Sequence, residues 1–418
     1  MTGAPGPSDP AFALDDFDAV AWSWVHHLRR AGTTTWHDWC IRAAEEGVRG
    51  DAPAYGVPLP GAAQLELLRL LAVRAEHSVG PGTDADFAAL ADTVMAVSGP
   101  GRGLPELPLP GAPVAARSGP RPVPLDDLPR AELARVASGV LVSLLLRHDG
   151  VAPVREKGVR RPWRRAVKIT GAPQTVDSLR AQLREREYDD AGPLEAAVVV
   201  VLPIDVMAAE VWANRVLRGA ELKWGRFWAR WHAEDQLPVY ADPASLVAKW
   251  ADRLGEDKVR VVVAPSSARA AQLLDQVLDV DLDHQLVGHL DLDIASVEVV
   301  RGVNAALGVA TDTEGRAEAR RTLRRLLAME THAQGRPPSG SAVVPAPPAQ
   351  LRPWLQDMAQ ECQARLAESG CVIVGDIADH QPRSPEGLHE GPDDAAVLDA
   401  AITACLAVAR GLDRREAR

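Results

Sequence analysis

The stretch ITGAPQTVDSLRAQL, Ile169 to Leu183, joins an apolar strand end to a Gly-x-Pro turn and then to a run that reads as helix. A turn of this shape offers main-chain N–H groups and the positive end of a helix dipole, and phosphate is its usual occupant. Two residues oppose that use. Gln174 brings no charge and Asp177 brings a negative one, where such a turn wants neutral or positive groups.

Other chemistry-bearing clusters carry less. His26 and His27 are adjacent, so they leave a helix in different directions and cannot chelate one metal from it. With His37 they read as solvated or capping groups. The segment DVDLDHQLVGHLDLD holds Asp279, Asp281, Asp283, Asp291 and Asp293 but lacks the turn glycine and terminal glutamate of a calcium loop, so it reads as a solvated connection. Trp212, Trp224, Trp228 and Trp231 fall at helical spacings; they read as packing, with a ligand or partner groove as the alternative. Upstream of the turn, REKGVRRPWRRAVK (Arg155 to Lys168) holds seven cations and one acid. It is a linker or strand edge in ordinary use and an anion-binding rim in the functional one. There is no Gly-x-Ser-x-Gly elbow, His-Glu-x-x-His or paired Cys-x-x-Cys.

The elements that must position the turn follow from periodicity. With 418 residues, 46% of them hydrophobic, the chain can build two or three domains with sizeable cores. Residues 1–12 read as a disordered tail. Helical spacing dominates 13–150, where Thr35 is placed to cap a helix, and the Pro/Gly-rich stretch 99–124 interrupts it. The apolar run ending near His148 predicts a helix buried between layers. The pattern then changes to RAVKIT, EAAVVVVLP and DKVRVVVAP, short apolar runs separated by helix-length segments. That is the signature of an α/β fold, a parallel sheet with flanking helices, preceded by an all-α N-terminal module. Val167–Thr170, Val198–Leu202 and Val259–Val263 are expected in one parallel sheet. A second linker (335–350), a helix from Trp354 to Glu368, a CVIVGD strand, and then an acidic loop and final helix (386–418) close the chain.

Composition narrows the setting. A net charge of −11 argues against nucleic acid and anionic membranes as partners. No apolar run reaches the roughly 18 residues of a membrane helix, and MTGAPGPSDP has no signal-peptide pattern. Four scattered cysteines, Cys40, Cys362, Cys371 and Cys405, suit free thiols in a reducing compartment. A cytoplasmic location and no membrane insertion are expected.

From about Arg165 to Pro382 the order of segments resembles the sulfotransferase-like P-loop proteins common in high-GC Gram-positive bacteria. The stretches that carry the likeness are the Gly171 turn, EVWANRVLRGAELKWGRFWARW, LPVYADPASLVAKWADRLGEDKVRVVVAP, VEVVRGVNAALG and the Trp-led helix ending in ESGCVIVGDIADHQP. The resemblance implies a P-loop sulfotransferase-type α/β domain over 163–385 and sulfate transfer from 3′-phosphoadenosine 5′-phosphosulfate. Against the family's approximate G-x-P-K-T-G-T-T, it implies a degenerate phosphate loop in which Gly171, Pro173, Gln174, Thr175 and Ser178 would meet the cofactor.

The departures fall on the chemistry. Gln174 stands for the lysine and offers neither charge nor proton to the leaving group. Val176 stands for the second glycine and would crowd the anion, and Asp177 stands at a hydroxyl position. A carboxylate ~4 Å from a phosphate charge costs on the order of 4 kcal/mol at an effective dielectric near 20. About 20 residues separate Ser178 from Val198, where the family inserts the segments that carry its base. LPIDVMAAE has no arginine for the 3′-phosphate before Arg215. The expectation is therefore a pseudoenzyme: a non-catalytic accessory or binding protein, without cofactor, metal or catalytic residues, serving a protein partner or a neighbouring transferase. The alternative is an active sulfotransferase in which Arg160 to Arg165 replace the lost lysine.

Overall fold

The computed structural model describes residues 14–47, 59–76, 84–97, 107–112, 121–147, 165–185, 188–189, 194–283, 293–333, 344–384, 386 and 390–416. The expectations for the tail, for most of 99–124, for 155–164, for Asp291 and for much of the 335–350 linker lie outside these residues. In chain order the helices and strands are α1 (Leu14–Arg29), α2 (Trp36–Glu46), α3 (Ala62–Glu76), α4 (Asp84–Ala96), α5 (Arg130–Arg147), β1 (Arg165–Gly171), α6 (Pro173–Glu185) and β2 (Tyr188–Asp189). There follow β3 (Ala196–Val201), α7 (Ile204–Leu217), α8 (Trp224–Ala233), α9 (Pro243–Leu254), β4 (Val259–Val263), α10 (Ser267–Leu278), α11 (Ile294–Ala310), α12 (Thr313–Ala333), α13 (Arg352–Ala367), β5 (Val372–Gly375) and α14 (Asp394–Glu416). They form two compact units, one of residues 1–150, 302–327 and 394–418, the other of 151–301 and 328–393.

The first unit is helical and not contiguous in sequence. Its centre is α5, whose Val136, Val140, Leu141 and Leu144 are buried together with Leu133 and Leu145 on its other turns. A helix so apolar must be covered on several sides, and α3, α4 and α14 pack on it. Arg74 of α3 reaches Asp399 of α14 at 2.7 Å. Thr35 caps α2 as its type and place predict, accepting the Asp38 N–H at 3.2 Å while its hydroxyl donates to the Asp38 carboxylate at 2.8 Å.

The second unit is α/β. Its strands run parallel in the order β2-β1-β3-β4-β5, with Ile169 opposite Val198, Val198 opposite Arg260 and Val261 opposite Ile373. The three expected strands lie side by side in this sheet. β2 is an addition: a two-residue edge strand in a connection that reads from sequence as helix and loop only. The order 2-1-3-4-5 reverses direction between β1 and β3. Ligands of open parallel sheets bind at such a switch point, outside the carboxyl ends of the strands.

Gly171 and Gly375 end β1 and β5 in the same way. Their φ values are +129° and +102°, and a Cβ on either would fall 2.0 Å from the Val200 carbonyl oxygen or 1.9 Å from that of Val263. Both glycines are required by the neighbouring strand's backbone, whatever a ligand would ask of them.

Candidate functional site

Because the strands are parallel, the turns that leave β1, β3, β4 and β5 share one edge of the sheet. Only Ala172 separates β1 from α6, so Gln174 and Thr175 present their N–H groups in the first helical turn, where no intrahelical acceptor exists. Glu210 of α7 supplies the acceptor. Its Oε2 takes the Gln174 N–H at 2.9 Å and the Thr175 N–H at 3.1 Å, and its Oε1 takes the Thr175 hydroxyl at 2.6 Å. The Thr175 oxygen meets the Ser267 hydroxyl at 2.9 Å, at the start of α10. With Thr175 donating to the carboxylate, Ser267 donates to Thr175. The hydroxyl protons therefore run Ser267 to Thr175 to Glu210.

Glu210 is 5% exposed. Burial pushes its carboxyl above the usual range, and the hydrogen bonds from Thr175 and Gln174 oppose that shift; the Asp177 charge adds to it slightly. What the turn holds is a carboxylate of the chain itself, where the helix dipole and two N–H groups favour an anion.

The neighbours of Glu210 in this turn depart from expectation. Asp177, expected beside the anion seat, is 66% exposed at its side chain and pairs with Arg180 at 3.4 Å. Its place on the solvent face of α6 follows from helical spacing, since Val176 and Leu179 take the core face. Val176, expected to crowd an anion, turns its side chain into the core and gives its N–H to Ala172 at 2.9 Å. Pro173 is buried at the first helical position, and Ser178 lies half-buried one turn further along. Gln174 has both amide atoms buried without a partner among the described residues.

Further along the edge, Asp205 in the first turn of α7 is 1% exposed and is held by Arg383, through the main-chain N–H at 3.2 Å and Nε at 2.8 Å. His380, in the short 3-10 turn after β5, is fully buried with Nδ1 2.8 Å from the Leu202 carbonyl oxygen. A carbonyl only accepts, so the proton sits on Nδ1 and Nε2 presents a lone pair that meets no donor among the described residues. Burial lowers the His380 pKa; the Leu202 carbonyl and the charges of Asp242 and Asp205 resist that.

Sequence reasoning missed Glu210, Ser267 and His380. For Glu210 a signal was present: it is the lone acid in MAAEVWANRV, and an acid inside an apolar helical run is buried only when it is paired. The remaining candidates behave as ordinary structure. His27 stacks on Trp39 (centroids 4.6 Å apart), while His26 and His37 are exposed, and no group of described residues could hold a metal ion. Asp293 caps α11 through the Ser296 N–H at 2.7 Å. The tryptophans pack with Phe227 between α7 and α8, Trp212 against Trp224 at 5.3 Å and Trp224 against Trp228 at 5.6 Å. No described helix is long and apolar enough to cross a membrane. No protein-family model, curated protein or solved structure matches the chain.

Proposed function

We propose that the chain is a sulfotransferase-like protein that has given up nucleotide binding at the Gly171 turn. It works as a non-catalytic accessory or binding protein beside a protein partner or a neighbouring transferase. The observation that carries this reading is the Glu210 carboxylate on the N–H groups of Gln174 and Thr175. A nucleotide phosphate needs those same donors. It would have to displace a buried carboxylate that also holds the Thr175 hydroxyl, or share the turn with it at a cost on the order of 4 kcal/mol. Gln174 compounds the loss, because a neutral amide brings neither charge nor proton to the 5′-phosphate oxygen that departs from sulfur. The test is calorimetric titration of the full chain with 3′-phosphoadenosine 5′-phosphate. No saturable heat is expected, and a micromolar dissociation constant would overturn the reading.

A further inference from the structure

Helix α12 reads RRTLRR from Arg320 to Arg325, four arginines in six residues with no acid among them, in a chain whose acids outnumber its Lys and Arg by 57 to 46. Its core face is settled: Ala319, Leu323 and Leu327, at i, i+4 and i+8, are 4%, 0% and 3% exposed. Helical spacing then puts Arg320 and Arg324 along one shoulder of the helix, half-buried, and Arg321 and Arg325 on the face turned to solvent. The core face is complete without any of the four.

Arginines on other helices meet an acid one turn away. Arg135 pairs with Glu132 on α5, Arg230 with Glu234 on α8 and Arg301 with Glu298 on α11. On α12, Arg321 reaches Glu318, while Arg320 and Arg325 pair with no acid among the described residues. Arg320 with Arg324, and Arg321 with Arg325, set like charges at i, i+4, an arrangement that destabilises a helix. Carboxylates from outside the helix would relieve that repulsion.

We propose that Arg320, Arg321, Arg324 and Arg325 dock an acidic helical segment of a partner protein, whose carboxylates at i, i+4 match the arginine spacing of about 5–6 Å along α12. A guanidinium takes a carboxylate in a two-pronged geometry, and α12 uses arginine at all four places and holds no lysine. Other polyanions fit this surface less well. Nucleic acid asks for a longer cationic track or for aromatic rings to stack on, whereas α12 has no aromatic residue and the chain carries a net charge of −11. An anionic membrane asks for an apolar face to bury, and that face of α12 is turned into the core. Residues 302–327 belong to the helical unit, so this surface does not depend on what fills the Gly171 turn of the α/β unit.

The probe is an alanine-based helical peptide with glutamates at i, i+4, titrated into the full chain at low ionic strength, with its glutamine counterpart as control. Saturable binding of the glutamate peptide is expected, weakened by added salt, with the glutamine peptide bound at least about tenfold more weakly. Arg320→Gln combined with Arg325→Gln is expected to weaken the glutamate peptide about three- to tenfold. Arg226→Gln combined with Lys258→Gln, an equal change of net charge at exposed residues elsewhere, is expected to change it by less than about twofold. If the glutamine pair on α12 does not fold, Arg320→Lys with Arg325→Lys keeps the charge and is expected to bind with intermediate affinity. The proposal is overturned if the glutamate peptide does not bind, if the glutamine peptide binds equally well, or if an α12 variant and the parent bind alike. Tighter binding of an oligothymidylate or of phosphatidylserine vesicles than of the glutamate peptide would overturn it too.

Discussion

Thr175 gives both its main-chain N–H and its hydroxyl to Glu210, at 3.1 and 2.6 Å, across the gap between α6 and α7. One carboxylate thus takes up unpaired donors in the first turn of a helix whose Gln174 lies 36 residues earlier in the chain. It does from a distance what a capping residue does locally, and it leaves the turn electrically satisfied without a ligand.

That relationship sets the cost of removing either partner. Glu210→Ala strands three buried donors and is expected to lower unfolding free energy by about 2–4 kcal/mol, and Thr175→Ala by about 1–2 kcal/mol. Asp177→Ala, on the exposed face, is expected to stay within about 0.5 kcal/mol of the parent. Urea unfolding checks all three. An Asp177 effect as large as that of Glu210 would show that the assignment of the two carboxylates is reversed.

The two strand-ending glycines give a second ranking. Gly171→Ala and Gly375→Ala force a Cβ against a neighbouring carbonyl at a positive φ, and each is expected to cost about 3 kcal/mol or more. Gly225 of α8 has nothing within 4 Å of its would-be Cβ, so Gly225→Ala is expected to be neutral or to stabilise by about 0.5–1 kcal/mol. Thermal melts of the three variants decide it.

His380 makes stability depend on pH. Its folded pKa is lowered, so its contribution is complete above the ordinary histidine value of 6.5 and is lost as pH falls from there toward the folded pKa. Protonation would put an N–H at buried Nε2, while Asp205 is committed to Arg383 and Asp242 to Ser245 and Arg365. Glu210 works in the other direction: its raised pKa makes its contribution largest below the ordinary value of 4.5 and lost as pH rises through the folded pKa. His380→Asn is expected to flatten the fall in Tm below pH 6.5, and Glu210→Gln to leave that fall in place. A His380→Asn profile that follows the parent would show another group to be responsible.

The cysteines divide by burial. Cys362 and Cys405 have thiols pushed up to about 12 by desolvation and Cys40 is buried, whereas Cys371 is half-buried with a thiol raised less. Thiolate is the reactive form, so Cys371 is expected to react with a disulfide reagent long before the others. Peptide mapping after brief labelling of the folded chain reads this directly; early modification of Cys405 would contradict its place in the core.

Valine runs made β3 and β4 readable in advance, because a strand covered on both faces has no polar side to confuse the pattern, and β1 was found from its place before a Gly-x-Pro turn and a helical run. Helix α5 was readable for the same reason, and Thr35 because a cap is a local event. Two-residue β2 carries too little pattern to be found. The site was half readable. The turn and its uncharged Gln174 lie in one contiguous stretch, but the acceptor of its N–H groups is on another helix, and helical spacing alone could not bring Glu210 or Ser267 to Thr175. Asp177 drew attention by adjacency, yet in a helix the neighbour of a buried residue points away from it.

The filled turn is tested most directly by thermal melts of the parent and of Glu210→Ala with and without added phosphate at constant ionic strength. With its own carboxylate in the seat, the parent is expected to show no specific shift. The variant, whose Gln174 and Thr175 N–H groups are vacant, is expected to recover part of its lost stability as phosphate binds. Equal responses from the two proteins, or a specific rise in the parent, would contradict the claim that Glu210 occupies the place of a bound anion.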